Sequence, residues 1–182
     1  MKITPTKIKD LVVLESQVFG DHRGYFMEAF KKEWFNEHFP DLEFIQDNES
    51  QSQRGVLRGL HFQNPPYTQT KLVRVIHGEV LDVAVDLRKD SSTYGQHVSI
   101  ILSAENKKQF LVPRGFAHGY VVLSDSAIFS YKVDNSYSPQ HEDGIMWNDP
   151  NLKIDWKISE QDVHLSAKDE LLGAFKNLES PF

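Results

Sequence analysis

The segment RGVLRGLHFQ, residues 54–63, combines an apolar strand pattern with two side chains that could do chemistry. Its aliphatic and aromatic residues predict a buried strand, yet Arg58 and His61 lie among them. A buried guanidinium is costly unless a negative group pairs with it. A guanidinium binds phosphate oxygens in a bidentate manner, and an imidazole exchanges a proton near neutral pH. The segment therefore leaves open anion binding and proton transfer as functions of one strand.

Arg58 and His61 can serve one site only if the strand is irregular between them. They are three residues apart, and a regular strand would point them to opposite faces. Gly59 lies between them and could accommodate a β-bulge. We therefore predict a bulge or a strong twist at Gly59 that directs both side chains into one cavity.

Three further polar residues alternate with apolar ones on predicted strands, namely Lys71, His118 and Tyr131. Each has an ordinary structural explanation when it is taken singly. A histidine in a strand is usually structural, a lysine at a strand start is usually solvated, and a tyrosine can span core and surface. Their coincidence on strands that should line one interior favours a ligand site inside a barrel.

The elements that must position these residues are mostly short strands separated by turn signals, such as NPP, HG and SDS. This pattern predicts an all-β fold, a cupin jelly-roll sandwich or barrel with short flanking helices, in a single domain covering residues 1–182. One helix is predicted in MEAFKKEWFNEHFPD, residues 27–41, with Phe30, Trp34 and His38 at helical spacing. A second is predicted from Ser166, where SAKD resembles a capping box.

The sequence contains only half of a metal-binding cupin pattern. PRGFAH supplies His118 as a downstream histidine, but His61 is followed by Phe62 and Gln63 instead of a second strong ligand. Gln63 could ligate only weakly. We therefore expect no metal, and an interior of acid and base groups that suits proton transfer.

Composition narrows the classes of partner. The formal net charge is −6, which argues against a nonspecific nucleic-acid binder. The absence of cysteine excludes disulfides, thiolate metal sites and cysteine nucleophiles. There is neither an apolar run of transmembrane length nor a signal-peptide pattern at the start. We expect a cytoplasmic, soluble protein without a membrane partner.

Taken together and in order, the motifs resemble those of the dTDP-4-dehydrorhamnose 3,5-epimerases along nearly the whole chain. The motifs that carry the resemblance are FGDHRGYFMEAF, QDNESQSQRGVLRGLHFQ, QTKLVRVIHGEVLDVAVDLR, LSAENKKQFLVPRGFAHGYVVLSD, SYKVDNSYSPQHEDGIMWNDPNLKIDW and LSAKD. The resemblance implies a cupin jelly-roll, a homodimer, and neither a metal nor an organic cofactor. It also implies a dTDP-sugar substrate and a step in dTDP-L-rhamnose synthesis after the 4,6-dehydratase.

The resemblance also implies a role for individual residues. His61 matches the catalytic base, Asp169 its carboxylate partner, Tyr131 the proton donor on the opposite sugar face, and Lys71 the lysine near the ketone oxygen. Tyr137 matches the aromatic residue that stacks on thymine. The other positions that match substrate contacts are Arg23, Glu28, Gln46, Asn48, Arg58, His118, Glu142 and Lys168.

Other activities on the same scaffold stay open at this point. The nearest is an epimerase that acts at one carbon only, or a ketoisomerase that moves the carbonyl group. A metal-dependent cupin oxygenase and a noncatalytic nucleotide-sugar binding module are the further alternatives. The number of carbons processed depends on the shape of the cavity, which the sequence does not define.

Overall fold

The computed structural model describes residues 1–182 and contains mainly β-strands. The first strands, which precede the only α-helix, are β1 (Lys2–Pro5), β2 (Val12–Glu15), β3 (Val18–Asp21) and β4 (Gly24–Met27). The helix α1 spans Lys32–His38. The remaining strands are β5 (Gln46–Gln53), β6 (Leu57–Gln63), β7 (Lys71–His77), β8 (Glu79–Asp86), β9 (His97–Ser103), β10 (Lys108–Val112), β11 (Phe116–Val122), β12 (Ser126–Val133) and β13 (Glu142–Gly144). Four single-turn 3₁₀ helices are found at Pro139–His141, Glu160–Asp162, Asp169–Leu171 and Phe175–Asn177.

Two antiparallel sheets form the body of the fold. The six-stranded sheet has the order β1-β2-β10-β7-β12-β5, and the five-stranded sheet has the order β13-β6-β11-β8-β9. Strands β3 and β4 form a separate two-stranded hairpin. From β5 to β13 the chain alternates between the two facing sheets, except that β8 and β9 are neighbours in one sheet. This order is that of a jelly roll, and it confirms the predicted fold class.

The core has two layers because the five-stranded sheet is covered on both faces. On β8, Val80 and Ala84 pack in the cluster between the two sheets, whereas Leu81, Val83 and Val85 pack in a second cluster on the outer face. The C-terminal third of the chain covers this outer face through residues such as Trp156. A strand that is buried on both faces reads as a continuous apolar run, which explains the sequence VLDVAV.

The predicted irregularity in β6 is present. His61 pairs with His118 of β11 and Arg58 pairs with Tyr120, so β6 has one more residue than β11 in this interval. Gly59 has φ +127°, and a Cβ atom there would lie 2.5 Å from the Cα atom of Gly119. Only glycine fits this combination of backbone angle and close approach.

Helix α1 is shorter than the predicted helix over residues 27–41. Its start is delayed because other groups bind the backbone before it. The Ser16 hydroxyl donates to the Glu28 carbonyl, and the Gln109 amide donates to the Ala29 carbonyl. The buried residue of α1 is Phe35, which packs on the outer face of the six-stranded sheet. Of the predicted residues, Phe30 and Trp34 pack partly buried against the same cluster, whereas His38 is exposed.

The predicted C-terminal helix is wrong. The Ser166 hydroxyl does accept the backbone N–H of Asp169, as in a capping box, but only a 3₁₀ turn follows. The Asp169 side chain bonds to His61 instead of completing the box, and Gly173 forms a bridge with Ile145. Tertiary contacts therefore replace the helix.

None of the helices in the structure is both long and apolar enough to cross a membrane.

Candidate active site

A cavity of about 520 Å³ opens between the two sheets, a volume typical of small-molecule sites. Its lining includes nine of the thirteen predicted site residues, which are Arg58, His61, Lys71, His118, Tyr131, Tyr137, Glu142, Lys168 and Asp169. The bulge at Gly59 therefore has the predicted consequence, because both Arg58 and His61 reach this cavity.

The two sheets supply different chemical groups. Strands β6 and β11 of the five-stranded sheet carry His61 and His118. Strands β7 and β12 of the six-stranded sheet carry Lys71 and Tyr131. Because the sheets face each other across the cavity, His61 and Tyr131 approach its interior from opposite sides.

His61 and Asp169 form a close hydrogen-bonded pair, with 2.6 Å between Nε2 and Oδ1. Burial opposes ionisation of Asp169, but the hydrogen bond and charge interaction with His61, together with the hydrogen bonds from Ser166 and the Gly59 backbone, lower the pKa of the carboxyl group. An ionised carboxylate only accepts hydrogen bonds, so Nε2 carries the proton in the neutral imidazole. The lone pair of Nδ1 is then the free basic site of His61.

His118 is held by a second carboxylate that the sequence reasoning missed. Nε2 of His118 lies 2.9 and 3.0 Å from the two carboxylate oxygens of Asp82, which is fully buried on β8. Asp82 shares the inward face with Val80 and Ala84. An aspartate in the inward register of an apolar strand is the signal that could have identified it.

Burial perturbs the protonation of the two groups from the six-stranded sheet. It lowers the pKa of the Lys71 ammonium to about 8, although Glu142 and Asp82 act in the opposite direction. It raises the pKa of the Tyr131 phenol, which therefore keeps its proton at neutral pH. Perturbed groups in a cavity are typical of active sites.

The expectation that Arg58 is buried is wrong, because its side chain is exposed at the open side of the cavity. Its guanidinium donates to the Ser52 hydroxyl at 3.1 and 3.2 Å and forms no ion pair. Ser52 and Ser50 lie on the inward face of β5, and Ser50 also lines the cavity. Arg58 is therefore a cation that is free to bind an anion.

The opening of the cavity is bordered by a polar cluster. The Tyr137 hydroxyl donates to Oε2 of Glu142 at 2.6 Å, and Lys168 pairs with the same oxygen. Burial opposes ionisation of Glu142, but the hydrogen bonds from Lys168 and Tyr137 lower its pKa. The Tyr137 ring is 53% exposed, so one face of it is available to a ligand.

Four predicted substrate contacts do not line the cavity. Gln46 and Asn48 lie on β5 and bond to each other at 2.7 Å; Asn48 pairs with Tyr131 across the sheet. Arg23 lies in the β3–β4 turn, where it pairs with Asp21, and Glu28 follows the hairpin. Gln46 and Asn48 extend the inward face past the cavity, whereas Arg23 and Glu28 lie outside it.

The cavity contains no constellation of three or more His, Cys, Asp or Glu side chains arranged to hold a metal ion. Nε2 of each of the two histidines is hydrogen-bonded to a carboxylate, and this bond holds the imidazole ring in position. The arrangement is suited to moving protons between two opposed groups near a cation.

Comparison with known proteins identifies a consistent set of relatives. Residues 5–177 match the family described as dTDP-4-dehydrorhamnose 3,5-epimerase. The dTDP-4-dehydrorhamnose 3,5-epimerase of Shigella flexneri is 52% identical over 170 residues, which cover 93% of this chain and 93% of that protein.

Solved structures agree with the sequence comparison. The dTDP-4-dehydrorhamnose 3,5-epimerase of Elizabethkingia anophelis superposes with a TM-score of 0.92 at 52% identity and covers 97% of each chain. The dTDP-6-deoxy-D-glucose-3,5-epimerase of Legionella pneumophila, solved with dTDP-4-keto-L-rhamnose, has a TM-score of 0.93 at 48% identity, with 98% of this chain and 94% of that chain covered.

Proposed function

The chain belongs to the dTDP-4-dehydrorhamnose 3,5-epimerase family, and we propose that it inverts carbons 3 and 5 of dTDP-4-dehydro-6-deoxy-D-glucose. The product is dTDP-4-dehydro-L-rhamnose, an intermediate of dTDP-L-rhamnose biosynthesis. The observation that carries the proposal is the placement of the His61–Asp169 pair and Tyr131 on opposing sheets around one cavity.

The substrate's ketone at carbon 4 determines the chemistry. The protons on carbons 3 and 5 both flank this ketone and are acidic because their removal gives an enolate. Inversion requires that a base remove the proton from one face and that an acid return a proton to the other. Each inversion balances without any change in oxidation state.

His61 is the proposed base and Tyr131 the proposed acid. Asp169 holds the imidazole so that Nδ1 is unprotonated, and it stabilises the imidazolium that forms when the proton is taken. Tyr131 is protonated at neutral pH and can donate from the other side of the sugar ring. Before the next inversion, the phenolate takes a proton from solvent and the His61 imidazolium releases one to solvent.

Lys71 is placed to stabilise the enolate. Its side chain lines the cavity between the sheet that carries His61 and the sheet that carries Tyr131. A pKa of about 8 keeps its ammonium group charged at neutral pH. A fixed cation in a partly desolvated site lowers the energy of a developing oxyanion. We assign Lys71 to the oxygen at carbon 4.

The nucleotide part of the substrate is assigned to the opening of the cavity. Arg58 has no carboxylate partner, so its guanidinium can bind the diphosphate without losing an ion pair. Tyr137 offers an exposed ring face for stacking on thymine. His118, Glu142 and Lys168 complete the polar lining, and Gln46 and Asn48 extend it along β5.

We assign a homodimer to the protein, as the resemblance implies. The β3–β4 hairpin exposes three aromatic residues, Phe19, Tyr25 and Phe26, at 54%, 59% and 66%. An aromatic surface of this kind is typical of an interface. Arg23 lies in the turn of this hairpin and Glu28 follows it. Because both lie outside the cavity of their own chain, their substrate contacts would require a second subunit.

The single domain over residues 1–182 and the cytoplasmic location are parts of the same proposal. The C-terminal segment packs against the outer face of the five-stranded sheet, which supports one folding unit. The location follows from the family resemblance and its nucleotide-sugar substrate.

The test is conversion of dTDP-4-keto-6-deoxy-glucose by the purified protein, with the product identified by NMR after reduction. Inversion at both carbons is expected, and Tyr131→Phe should lose inversion while it still binds dTDP. Inversion at one carbon would identify a single-carbon epimerase, and a moved carbonyl would identify a ketoisomerase. Binding without any conversion would contradict the proposal.

A further inference from the structure

Tyr137 lies in a loop, residues 134–141, that connects β12 with β13 at the opening of the cavity. We call these residues the Tyr137 loop. The Tyr137 side chain is largely exposed and makes one hydrogen bond, to Glu142. Its ring position therefore depends on how the backbone on either side of it is held.

A single buried amide, that of Gln63, holds the backbone on both sides of Tyr137. Nε2 of Gln63 donates to the Ser136 carbonyl at 3.1 Å, and Oε1 accepts the Ser138 backbone N–H at 2.6 Å. Nε2 also donates to the Tyr67 carbonyl at 2.7 Å, so that the loop between β6 and β7 is bound to the same side chain. Gln63 is 5% exposed and is the last residue of β6, the strand that carries His61.

Gln63 has no role in the proton transfers or in the cavity lining. We infer that Gln63 is a positioning residue for nucleotide binding, which fixes the Tyr137 loop so that the Tyr137 ring is presented to the base. The inference rests on the proposed function, because it takes the stacking role of Tyr137 from it.

The contacts require a carboxamide in particular. Both N–H groups and the carbonyl oxygen of Gln63 are used, and they face two acceptors and one donor. Glutamate has nearly the same shape, but its carboxylate could accept only from Ser138 and would face two carbonyl oxygens. Methionine keeps the length and removes all three hydrogen bonds.

Other contacts fasten the margins of the loop and not its centre. The Gln69 amide donates to the Asn135 carbonyl at 2.8 Å, and the Asn64 backbone N–H donates to the His141 carbonyl at 2.7 Å. These bonds are expected to keep the loop folded when Gln63 is replaced. A Gln63 variant should therefore have a displaced Tyr137 in a folded protein.

The experiment is a double-mutant cycle on the full-length protein, with dTDP affinity measured by calorimetry and with kcat and KM measured for the epimerisation. Gln63→Met and Gln63→Glu should each weaken dTDP binding on the order of tenfold, since stacking of a base on an aromatic ring is worth a factor of about 5 to 160. KM should rise similarly, and kcat should change much less.

The matched control is Asn106→Ala. The Asn106 amide also makes three backbone hydrogen bonds, to Ile101, Ser103 and Lys108, but in the β9–β10 turn. The Asn106→Ala substitution should lower the unfolding free energy without changing dTDP affinity. In a Tyr137→Ala background, Gln63→Met should cause no further loss of affinity.

The inference would be overturned if Gln63→Met caused the same loss of dTDP affinity in the wild-type and the Tyr137→Ala backgrounds. It would also be overturned if both Gln63 variants had unchanged dTDP affinity. If Tyr137→Ala itself left affinity unchanged, the stacking role and the inference would both fail. If the variants show the predicted cycle of dTDP affinities but the wild-type protein does not epimerise the sugar, the proposed function alone is contradicted. If Gln63→Met does not fold, Gln63→Glu, which keeps the side-chain volume, decides the outcome.

Discussion

The His61 side chain depends on Asp169 for its protonation state, and the geometry assigns a separate function to each nitrogen. Nε2 bonds to Asp169, whose lowered pKa keeps it ionised, and Nδ1 is left to act as a base. The family resemblance implied this pair by matching two short motifs, and the two residues are 108 positions apart in the chain. The contact itself could not be derived from local sequence patterns.

Replacing His61 with alanine should abolish proton removal. General bases contribute about 10²–10⁴-fold to rates, so kcat should fall by about a thousandfold. Binding of dTDP should change little, because the nucleotide is assigned to Arg58 and Tyr137. Turnover assays and calorimetry check the two parts, and normal turnover would exclude His61 as the base.

Lys71 provides a prediction of pH dependence. Its pKa is lowered by burial to about 8, so the unfolded chain binds more protons between pH 8 and the ordinary lysine value of 10.5. Stability therefore rises with pH across this window, and the cost of burying the charge is fully present below pH 8. The rate should fall as pH rises through about 8, because the ammonium is lost.

Lys71→Met should accordingly stabilise the protein at pH 7 while it reduces activity. We expect a gain of about 2 kcal/mol, smaller than the whole pKa shift implies because the side chain is only partly buried. Urea unfolding at pH 7 and pH 10 should show that the gain shrinks at the higher pH. A variant that is destabilised at pH 7 would argue against a buried, costly charge.

Among the elements, strand β6 is the one whose irregularity serves the site. The sequence predicted the bulge because a regular strand could not direct Arg58 and His61 to one cavity. The prediction that Arg58 is buried was wrong, because apolar neighbours in a strand do not reveal that the cavity is open on that side. The strand patterns thus predicted which side chains converge, and not how exposed each one is.

The helices were less predictable than the strands for a physical reason. Residues 27–31 and the segment after Ser166 have suitable helical patterns, but side chains from distant strands bind their backbone or their capping group. The Gln109 amide donates a hydrogen bond to the Ala29 carbonyl, and His61 is hydrogen-bonded to the Asp169 carboxylate. Such long-range contacts override local propensity and are not visible in a sequence window.

Gly59→Ala tests the bulge directly. A Cβ atom would meet the Gly119 backbone at 2.5 Å and would require an L-residue at φ +127°. We expect a loss of at least about 2 kcal/mol of unfolding free energy and a large loss of turnover, because Arg58 and His61 would shift relative to each other.

The control for this variant is Gly173→Ala. Gly173 has open space around the position of a Cβ atom and no positive φ. Denaturant titration and turnover should both remain near the wild-type values for Gly173→Ala. A Gly59→Ala protein that matched it would contradict the role of the bulge.

At the scale of the whole molecule, the β3–β4 hairpin is the feature that the body of the fold leaves unexplained. Its aromatic residues project from the two-sheet body, and Arg23 and Glu28 are carried with it outside the cavity. The sequence motifs matched these two residues to substrate contacts, but one chain does not place them there. A property of an assembly cannot be derived from the fold of a single chain.

The proposed dimer predicts the behaviour of Phe26→Asp. Phe26 is 66% exposed, so the change should not disturb the fold of one chain, yet a charge in an apolar interface would oppose association. Light scattering should show a monomer with weakened substrate binding. Tyr94→Asp, at an exposed aromatic residue away from the hairpin, should stay dimeric. A dimeric Phe26→Asp protein would place the interface elsewhere.

The most direct test of the account is solvent proton exchange. The protein is incubated with dTDP-4-keto-6-deoxy-glucose in heavy water, and the sugar is followed by NMR. Proton removal by His61 and return from the opposite face predict deuterium at both carbons 3 and 5 of a product with inverted configuration. A protein that binds the nucleotide sugar but incorporates no deuterium at either carbon would contradict the proton-transfer mechanism and leave only a binding function.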